Sequence, residues 1–343
     1  MEGLSGKTNK LIVTGLSVGE YVDSFVQKDS RWIIDVVGGG KEFEVLTSVV
    51  DPERLALHKK LDQLQNKCER FFHGAIGIFG FGSNWHALGL GLAHTLHYNM
   101  TFYPFDEHKN FIGMTTCTEE QMQRAFAQTP PETDMRFWNA STTNFKSLSP
   151  DVSSLMLQIG IVDPEFEHKG HFWWRSMLTY YATRPNYKMR AEIRQSSMPI
   201  TPCISIHVRH SDKKIEAIPL NFKQYMDVAI KYKSMTGISN IYLMSDDPAV
   251  IAETKLQKYK DFRFQYQDVK RTNEGWESDI MHGVSIDTQE RNFLIDIHSA
   301  AQCQHSILTY SSNVGRLIAE LAYGTRNKEP SVRSLDSKWI MYP

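Results

Sequence analysis

The chain has 343 residues, 22% of them charged and 41% hydrophobic, and its formal net charge is -1. A chain of this length can bury large cores, and length alone suggests two domains. With a pI near 6.9 there is no basic excess to favour nucleic acid or an anionic membrane, so electrostatics points to a small or neutral partner.

The first thirty residues hold several charges and no long apolar run, unlike a secretory leader, and no segment approaches a transmembrane span. Residues 52–70 read as an amphipathic helix, with Leu55, Leu57, Leu61 and Leu64 at nearly helical spacing. Ala75 to Phe79 reads as a short apolar strand. It is followed by Gly80-Phe-Gly82-Ser83-Asn84 and a helical run from Trp85 to about Leu96. Backbone N–H groups at such a helix start can meet an anion, although any tight turn also calls for glycine. Two sequons, Asn99-Met-Thr101 and Asn139-Ala-Ser141, would be glycan acceptors in a secretory compartment. Residues 128–152, rich in Pro, Thr, Ser and Asn, read as a surface excursion. Residues 171–195 look helical on both sides of a break at Pro185.

From about residue 200 the pattern becomes regular. Strands are expected at 202–208, 239–245, 262–266 and His305 to Thr309. Helices are expected from about Phe222 to Met235, Pro248 to Tyr259, 288 to 303, and Asn313 to Tyr323. Strands alternating with helices of this length imply a mostly parallel sheet in an α/β fold. Three polar clusters directly follow strands: Arg209–Glu216, Asp246-Asp247 and Ser311-Ser312-Asn313. All three therefore share the carboxyl rim, where open α/β sheets bind ligands. Arg209 can fork onto a phosphate, Lys213 can add a point charge, and Asp212 or Glu216 can take a proton. A solvated loop of mixed charge would also look like Arg209–Glu216, and Asp247 and Ser312 are equally suited to plain helix N-caps. The four cysteines, Cys68, Cys117, Cys203 and Cys303, lack metal-site spacing.

At these residues the chain resembles the α1,6-fucosyltransferases, the family of eukaryotic core fucosyltransferases and bacterial nodulation fucosyltransferases. The family's HVRRTDK appears as His207-Val-Arg-His-Ser-Asp-Lys213, and its TDDP as Ser245-Asp-Asp-Pro248. Its DIH and TFSSQVxR segments resemble Asp296-Ile-His298 and Thr309-Tyr-Ser-Ser-Asn-Val-Gly-Arg316. Gly80-Phe-Gly82 with His86, Trp173-Trp174 before Arg184-Pro185, and Ser334-Leu-Asp336 are similar as well. The matches are collinear over roughly residues 52–340.

The resemblance implies a GT-B-like, two-domain glycosyltransferase. Residues 1–195 would form an N-terminal α/β domain on the acceptor side, and 196–343 a Rossmann-like GDP-sugar-binding domain. The implied donor is GDP-fucose, used without a metal or other cofactor. The implied acceptor is a glycan or glycoprotein, with an N-glycan core sugar and an α1,6 linkage as the expected product. Arg209 and Gly82 would contact the diphosphate, and His210 beside Arg209 would also bind the donor. His207, Asp246 and Asp247 would help hold the nucleotide, Tyr225 corresponds to a pocket tyrosine, and Asp296, Ser312 and Asn313 would line the donor pocket. Lys213 and Glu216 resemble the pair assigned to charge stabilisation and proton removal, with Asp212 the second choice of base. The resemblance also implies a Cys68–Cys117 disulfide and with it residence in the Golgi or secretory pathway. Ser83 and Gly315 stand where the family has other cysteines, and Cys203 and Cys303 are expected to be buried thiols.

Three departures fall near the expected site. His210 replaces a second arginine of the family motif, Asn313 replaces a glutamine, and the loop from Lys213 to Tyr225 is one residue shorter. The membrane anchor, N-terminal coiled coil and SH3-like module of animal members have no counterpart in these residues. Besides an active transferase, two readings stay open. One is a degenerate member that binds GDP-sugar or glycan without turnover, and the other a fucosyltransferase with a different acceptor.

Overall fold

The computed structural model describes residues 21–28, 31–37, 51–74, 81–104, 111–127, 162–196, 199–210, 219–271, 283–326 and 329–340. Strands β1 (Tyr21–Lys28) and β2 (Arg31–Val37) form an antiparallel hairpin that the sequence reading did not foresee. Helix α1 (Pro52–Gln65) starts where Asp51 accepts the Glu53 N–H at 3.0 Å, with proline early in its first turn. It buries Leu57, Leu61 and Leu64, whereas Leu55, grouped with them by spacing, is 41% exposed. The helix stops before residue 70, because Cys68 turns to a φ of 56° and feeds β3 (Phe71–Gly74).

β3 pairs in parallel with β4 (Thr101–Pro104), and α2 (Phe81–Tyr98) connects them as a βαβ unit. The strand expected at Ala75–Phe79 lies outside the described residues, immediately after the observed one. The excursion at 128–152 and the sequon at Asn139 also lie outside them. Asn99 is exposed at the end of α2 with a φ of 54°, and the Thr101 hydroxyl donates to the Leu64 carbonyl at 2.8 Å. Helix α3 (Glu119–Ala127) follows. A 3-10 segment (Pro164–Lys169) then leads into α4 (Gly170–Ala182) and α5 (Tyr187–Gln195). The break between the last two falls at Pro185, as expected, and Asn186 caps α5 by accepting the Met189 N–H at 2.9 Å.

The remaining elements are β5 (Cys203–Val208), α6 (Phe222–Thr236), β6 (Asn240–Ser245), α7 (Pro248–Glu253), β7 (Arg263–Gln265), α8 (Ile286–Ala300), β8 (His305–Leu308), α9 (Asn313–Arg326) and β9 (Ser331–Ser334). The helix expected to run to Tyr259 ends instead at Glu253, and a short 3-10 turn (Gln257–Tyr259) follows it. The five strands form one all-parallel sheet in the order β7-β6-β5-β8-β9. β9 was not foreseen.

Alternation along the strands assigns the faces. Ile204, Ile206 and Val208 of β5 join Ile241, Leu243 and Ile307 under Phe222, Tyr225, Met226 and Ala229 of α6. On the opposite face Cys203, Tyr242, Met244 and Leu308 pack against α8 and α9. This second core continues without interruption through Trp85 and Leu92 of α2, Trp174 and Leu178 of α4, Leu61 of α1 and Phe102 of β4. Each fully buried side chain of this size contributes roughly 1.5–3 kcal/mol. The larger core therefore bonds the residues before and after 195 together strongly.

Two disulfides are present. Cys68–Cys117 matches the expectation from the resemblance. Cys203 and Cys303, expected as thiols, form a second bridge. The expectation failed because the two cysteines meet only after folding: β5 begins at Cys203, and Cys303 lies in the turn between α8 and β8, the strand beside it.

Candidate functional site

The chain leaves β5 for β6 and β7 on one side, while β8 and β9 lie on the other. The connections therefore diverge between β5 and β8, which opens a crevice at their carboxyl ends. Arg209 and His210 leave β5 there, Asp246 and Asp247 leave β6, and Ser311, Ser312 and Asn313 leave β8. The described members of the three polar clusters read from the sequence share one rim.

Arg209 and Asp246 form an ion pair between guanidinium Nη1 and carboxylate Oδ2. The other oxygen of Asp246 accepts the backbone N–H of His210 at 3.0 Å. Asp247 caps α7, with Oδ1 accepting the Ala249 N–H at 2.8 Å, and its Oδ2 lies 2.7 Å from His210 Nδ1. Asp247 is thus the N-cap of α7, and the same carboxylate also reaches the His210 ring. The second ring nitrogen of His210 donates to the Leu220 carbonyl at 2.7 Å. Burial opposes protonation of His210, but the bonds to Asp247 and Leu220 and the charges of Asp247 and Asp246 outweigh it and raise its pKa.

His207 behaves in the opposite way. It is buried on the face of β5 that meets α8 and α9, and burial pushes its pKa down to about 4 against the pull of Asp246. Its Nδ1 finds no hydrogen-bond partner among the described residues. Tyr225 of α6 is buried in the core between that helix and the sheet. Asp296, on α8, accepts the Tyr242 hydroxyl at 2.7 Å. Burial is the largest influence on its carboxyl and lifts it to about 6.

The amino ends of α2 and α9 converge at the same crevice. A Cβ on Gly82 would lie 2.6 Å from Val314 Cγ2, so the approach requires glycine there. A Cβ on Gly315 would collide with the Thr309 carbonyl. Asn313 donates its amide N–H to the Ser83 hydroxyl and accepts from Arg316 Nη2. Ser312 is buried, and its carbonyl accepts the Arg316 N–H at 3.2 Å as α9 begins. Two helix N-termini thus bring their partial positive charge to the rim occupied by Arg209. Of the remaining expected residues, Asp212, Lys213 and Glu216 lie outside the described residues.

Two supports of this rim involve residues, Asp336 and His86, that the sequence motifs contain but to which the sequence reading gave no role. Asp336, in the Ser334-Leu-Asp336 segment, accepts the backbone N–H groups of Tyr310 and Ser311 at 2.9 and 3.3 Å and so holds the turn after β8. Burial would raise its carboxyl, but these donors and Ser334 and Ser337 keep it below the ordinary range. Deeper in, Glu320 of α9 lies 2.9 Å from His86 Nε2 on α2. Glu320 also accepts Thr179 Oγ1 at 2.5 Å and Trp339 Nε1 at 3.0 Å. A carboxylate seven residues after Asn313 and a histidine four after Gly82 lie two turns and one turn inside their helices. That spacing is the signal that could have found the pair.

Comparison with known proteins settles the family. The model of the alpha-(1,6)-fucosyltransferase N- and catalytic domains matches residues 165–339, just over half of the chain. The chain belongs to the alpha-(1,6)-fucosyltransferase family. The family's matched span contains the whole five-stranded sheet and all three rim clusters. A curated alpha-(1,6)-fucosyltransferase of Drosophila melanogaster is 29% identical over 162 residues, which is 43% of this chain and 25% of that protein. The chain thus spans a quarter of the length of this curated family member. Among solved structures, the NodZ alpha-1,6-fucosyltransferase soaked with GDP-fucose is 14% identical, covering 74% of this chain and 92% of that one, with a TM-score of 0.43. POFUT1 in complex with GDP is 11% identical, covering 78% and 99%, with a TM-score of 0.48. Among the described residues no helix is long and apolar enough to cross a membrane.

Proposed function

We propose that this chain transfers fucose from GDP-fucose to a hydroxyl of a glycan acceptor, with inversion at the sugar and without a metal. The observation that carries this reading is the placement of Arg209 after β5, and of the joined amino ends of α2 and α9 after β8, on one rim at the switch point of a parallel sheet. A diphosphate leaving group needs concentrated positive charge, and preorganised donors of this kind are commonly the largest catalytic contribution. Asp246 pairs with the Arg209 guanidinium at that rim, and Asp296 on α8 accepts the Tyr242 hydroxyl from the neighbouring strand β6.

In the proposed reaction the acceptor oxygen bonds to C1 of fucose as the bond from C1 to the β-phosphate oxygen breaks. GDP departs with the bonding electron pair, and a base takes the acceptor proton. Following the family resemblance, Glu216 is that base, Lys213 balances its charge, and Asp212 is the alternative. A two-domain, GT-B-like arrangement, with a Rossmann-like part from residue 196 binding the nucleotide, belongs to this proposal. So do an N-glycan core sugar as acceptor, an α1,6 linkage and residence in the Golgi. The two disulfides support an oxidising compartment.

One observation favours a second reading, donor binding without turnover. Both ring nitrogens of His210 face acceptors of the protein itself, so the second cation of the motif is committed internally. The deciding experiment is GDP release from GDP-fucose in the presence of glycan acceptors, for the wild type and Glu216→Gln. The transferase reading expects acceptor-dependent release by the wild type and none by the variant, with GDP affinity unchanged. Full activity in the variant would move the base to Asp212, and GDP binding without release by the wild type would establish the second reading.

A further inference from the structure

The hydrogen bonds of His210 do not suit a neutral imidazole. A neutral ring has one N–H donor and one bare acceptor nitrogen. Here Nδ1 lies 2.7 Å from Asp247 Oδ2, and Nε2 lies 2.7 Å from the Leu220 carbonyl oxygen, which can only accept. The other oxygen of Asp247 accepts the Ala249 N–H at the amino end of α7, which leaves Oδ2, an acceptor, to the ring. Two acceptors therefore face the two ring nitrogens, and both are satisfied only when each nitrogen carries a proton. The charged groups facing the ring are Asp247 and Asp246 from the end of β6, with Arg209 adjacent on its own strand.

This strap reaches the site through described contacts. The His210 backbone N–H donates to Asp246 Oδ1, and Asp246 Oδ2 pairs with Arg209. Leu220 directly precedes Asn221, the N-cap of α6, so the same ring fixes the start of that helix. We propose that His210, as an imidazolium, is a positioning residue that ties β5 to β6 and to the start of α6, and so sets Asp246 and Arg209 for the donor diphosphate. The inference rests on reading Arg209 as a diphosphate ligand. It also gives the arginine-to-histidine replacement a consequence: an arginine at 210 would keep its charge at every working pH, whereas histidine loses it as pH rises. Loss of one proton must break the bond to Asp247 or to Leu220.

The test uses the full chain with imidazole nitrogen-15 labelling. The His210 resonances are identified by their absence in His210→Gln and His210→Arg. The strap requires both His210 nitrogens to be protonated at pH 6.5, with the ring titrating above the ordinary histidine value. A single ring proton at pH 6.5 would overturn it whether or not the protein binds nucleotide. In parallel, GDP affinity is measured by calorimetry between pH 6.5 and 8.5. Wild-type affinity should fall roughly three- to tenfold relative to His210→Arg, which cancels the titration of GDP itself. His207, with its pKa near 4, stays neutral throughout this range. Parallel pH profiles for the two proteins would refute the link from His210 to the donor. Absence of GDP binding in both would overturn the donor-site reading, while the nitrogen signals still decide the strap.

Discussion

Asp246, Asp247 and Glu320 each serve several donors at once, and this sharing makes the rim a unit rather than a row of independent side chains. Asp246 joins Arg209 to the backbone of His210, and Asp247 joins α7 to the His210 ring. Glu320 collects His86, Thr179 and Trp339 from three separate segments. Burial would favour its neutral form, but these donors and the nearby Arg175 charge keep it ionised, while burial lowers the pKa of His86 against the pull of Glu320. Removing one partner of a buried charged group costs about 3–5 kcal/mol, because the others are left uncompensated. Glu320→Gln should therefore lower the denaturant midpoint strongly, by about 3 kcal/mol or more in unfolding free energy. A loss under about 0.5 kcal/mol would show that the network contributes little. The same sharing limited what the sequence could reveal. Arg209, Asp246 and Asp247 were legible as a post-strand cluster, but their pairing depends on strands 37 residues apart falling side by side.

At the scale of elements, the sheet strands and most helices were legible because β-branched runs and helical spacing recur from Cys203 onward. The misses have local causes. β9 (SVRS) is four residues long with a single apolar side chain, Val332, so nothing in its sequence separates it from a loop. The helix after Pro248 stops early because Thr254 closes it and Leu256 is extended, which lets Tyr259 enter the core beside Phe222. The convergence of α2 and α9 was only half legible. Gly82 reads as a turn glycine, whereas its actual constraint is Val314, more than two hundred residues away. Gly82→Ala should push the two helix starts apart, at a cost of about 1–3 kcal/mol for overpacking. The accompanying result should be weaker GDP binding; unchanged stability and affinity would mean that the helices can part without affecting the rim.

For the whole molecule, the parallel sheet, its carboxyl rim and the family were readable from ordered motifs, because the motifs sit at strand ends that the topology brings together. The second disulfide was not readable, since Cys203 and Cys303 are 100 residues apart and become neighbours only when β5 and β8 pair. Closing a loop of that length restricts the unfolded chain by up to about 4.7 kcal/mol in the chain-entropy account, with 2–4 kcal/mol typical. Cys303→Ser should lower thermal stability under non-reducing conditions and leave wild type and variant equal in reductant once Cys68–Cys117 is also opened. No difference before reduction would mean that the bridge adds nothing to stability.

In the proposed donor site the switch-point crevice binds a GDP-sugar diphosphate through Arg209. This binding is tested most directly by calorimetric titration of the full chain with GDP and GDP-fucose, in the presence of a chelator, for the wild type and Arg209→Ala. The account predicts saturable binding of both nucleotides by the wild type. It also predicts at least roughly tenfold weaker binding by the variant, as expected for loss of a charged hydrogen bond. Wild-type protein that binds neither nucleotide, or an Arg209→Ala variant that binds as tightly as the wild type, would contradict it.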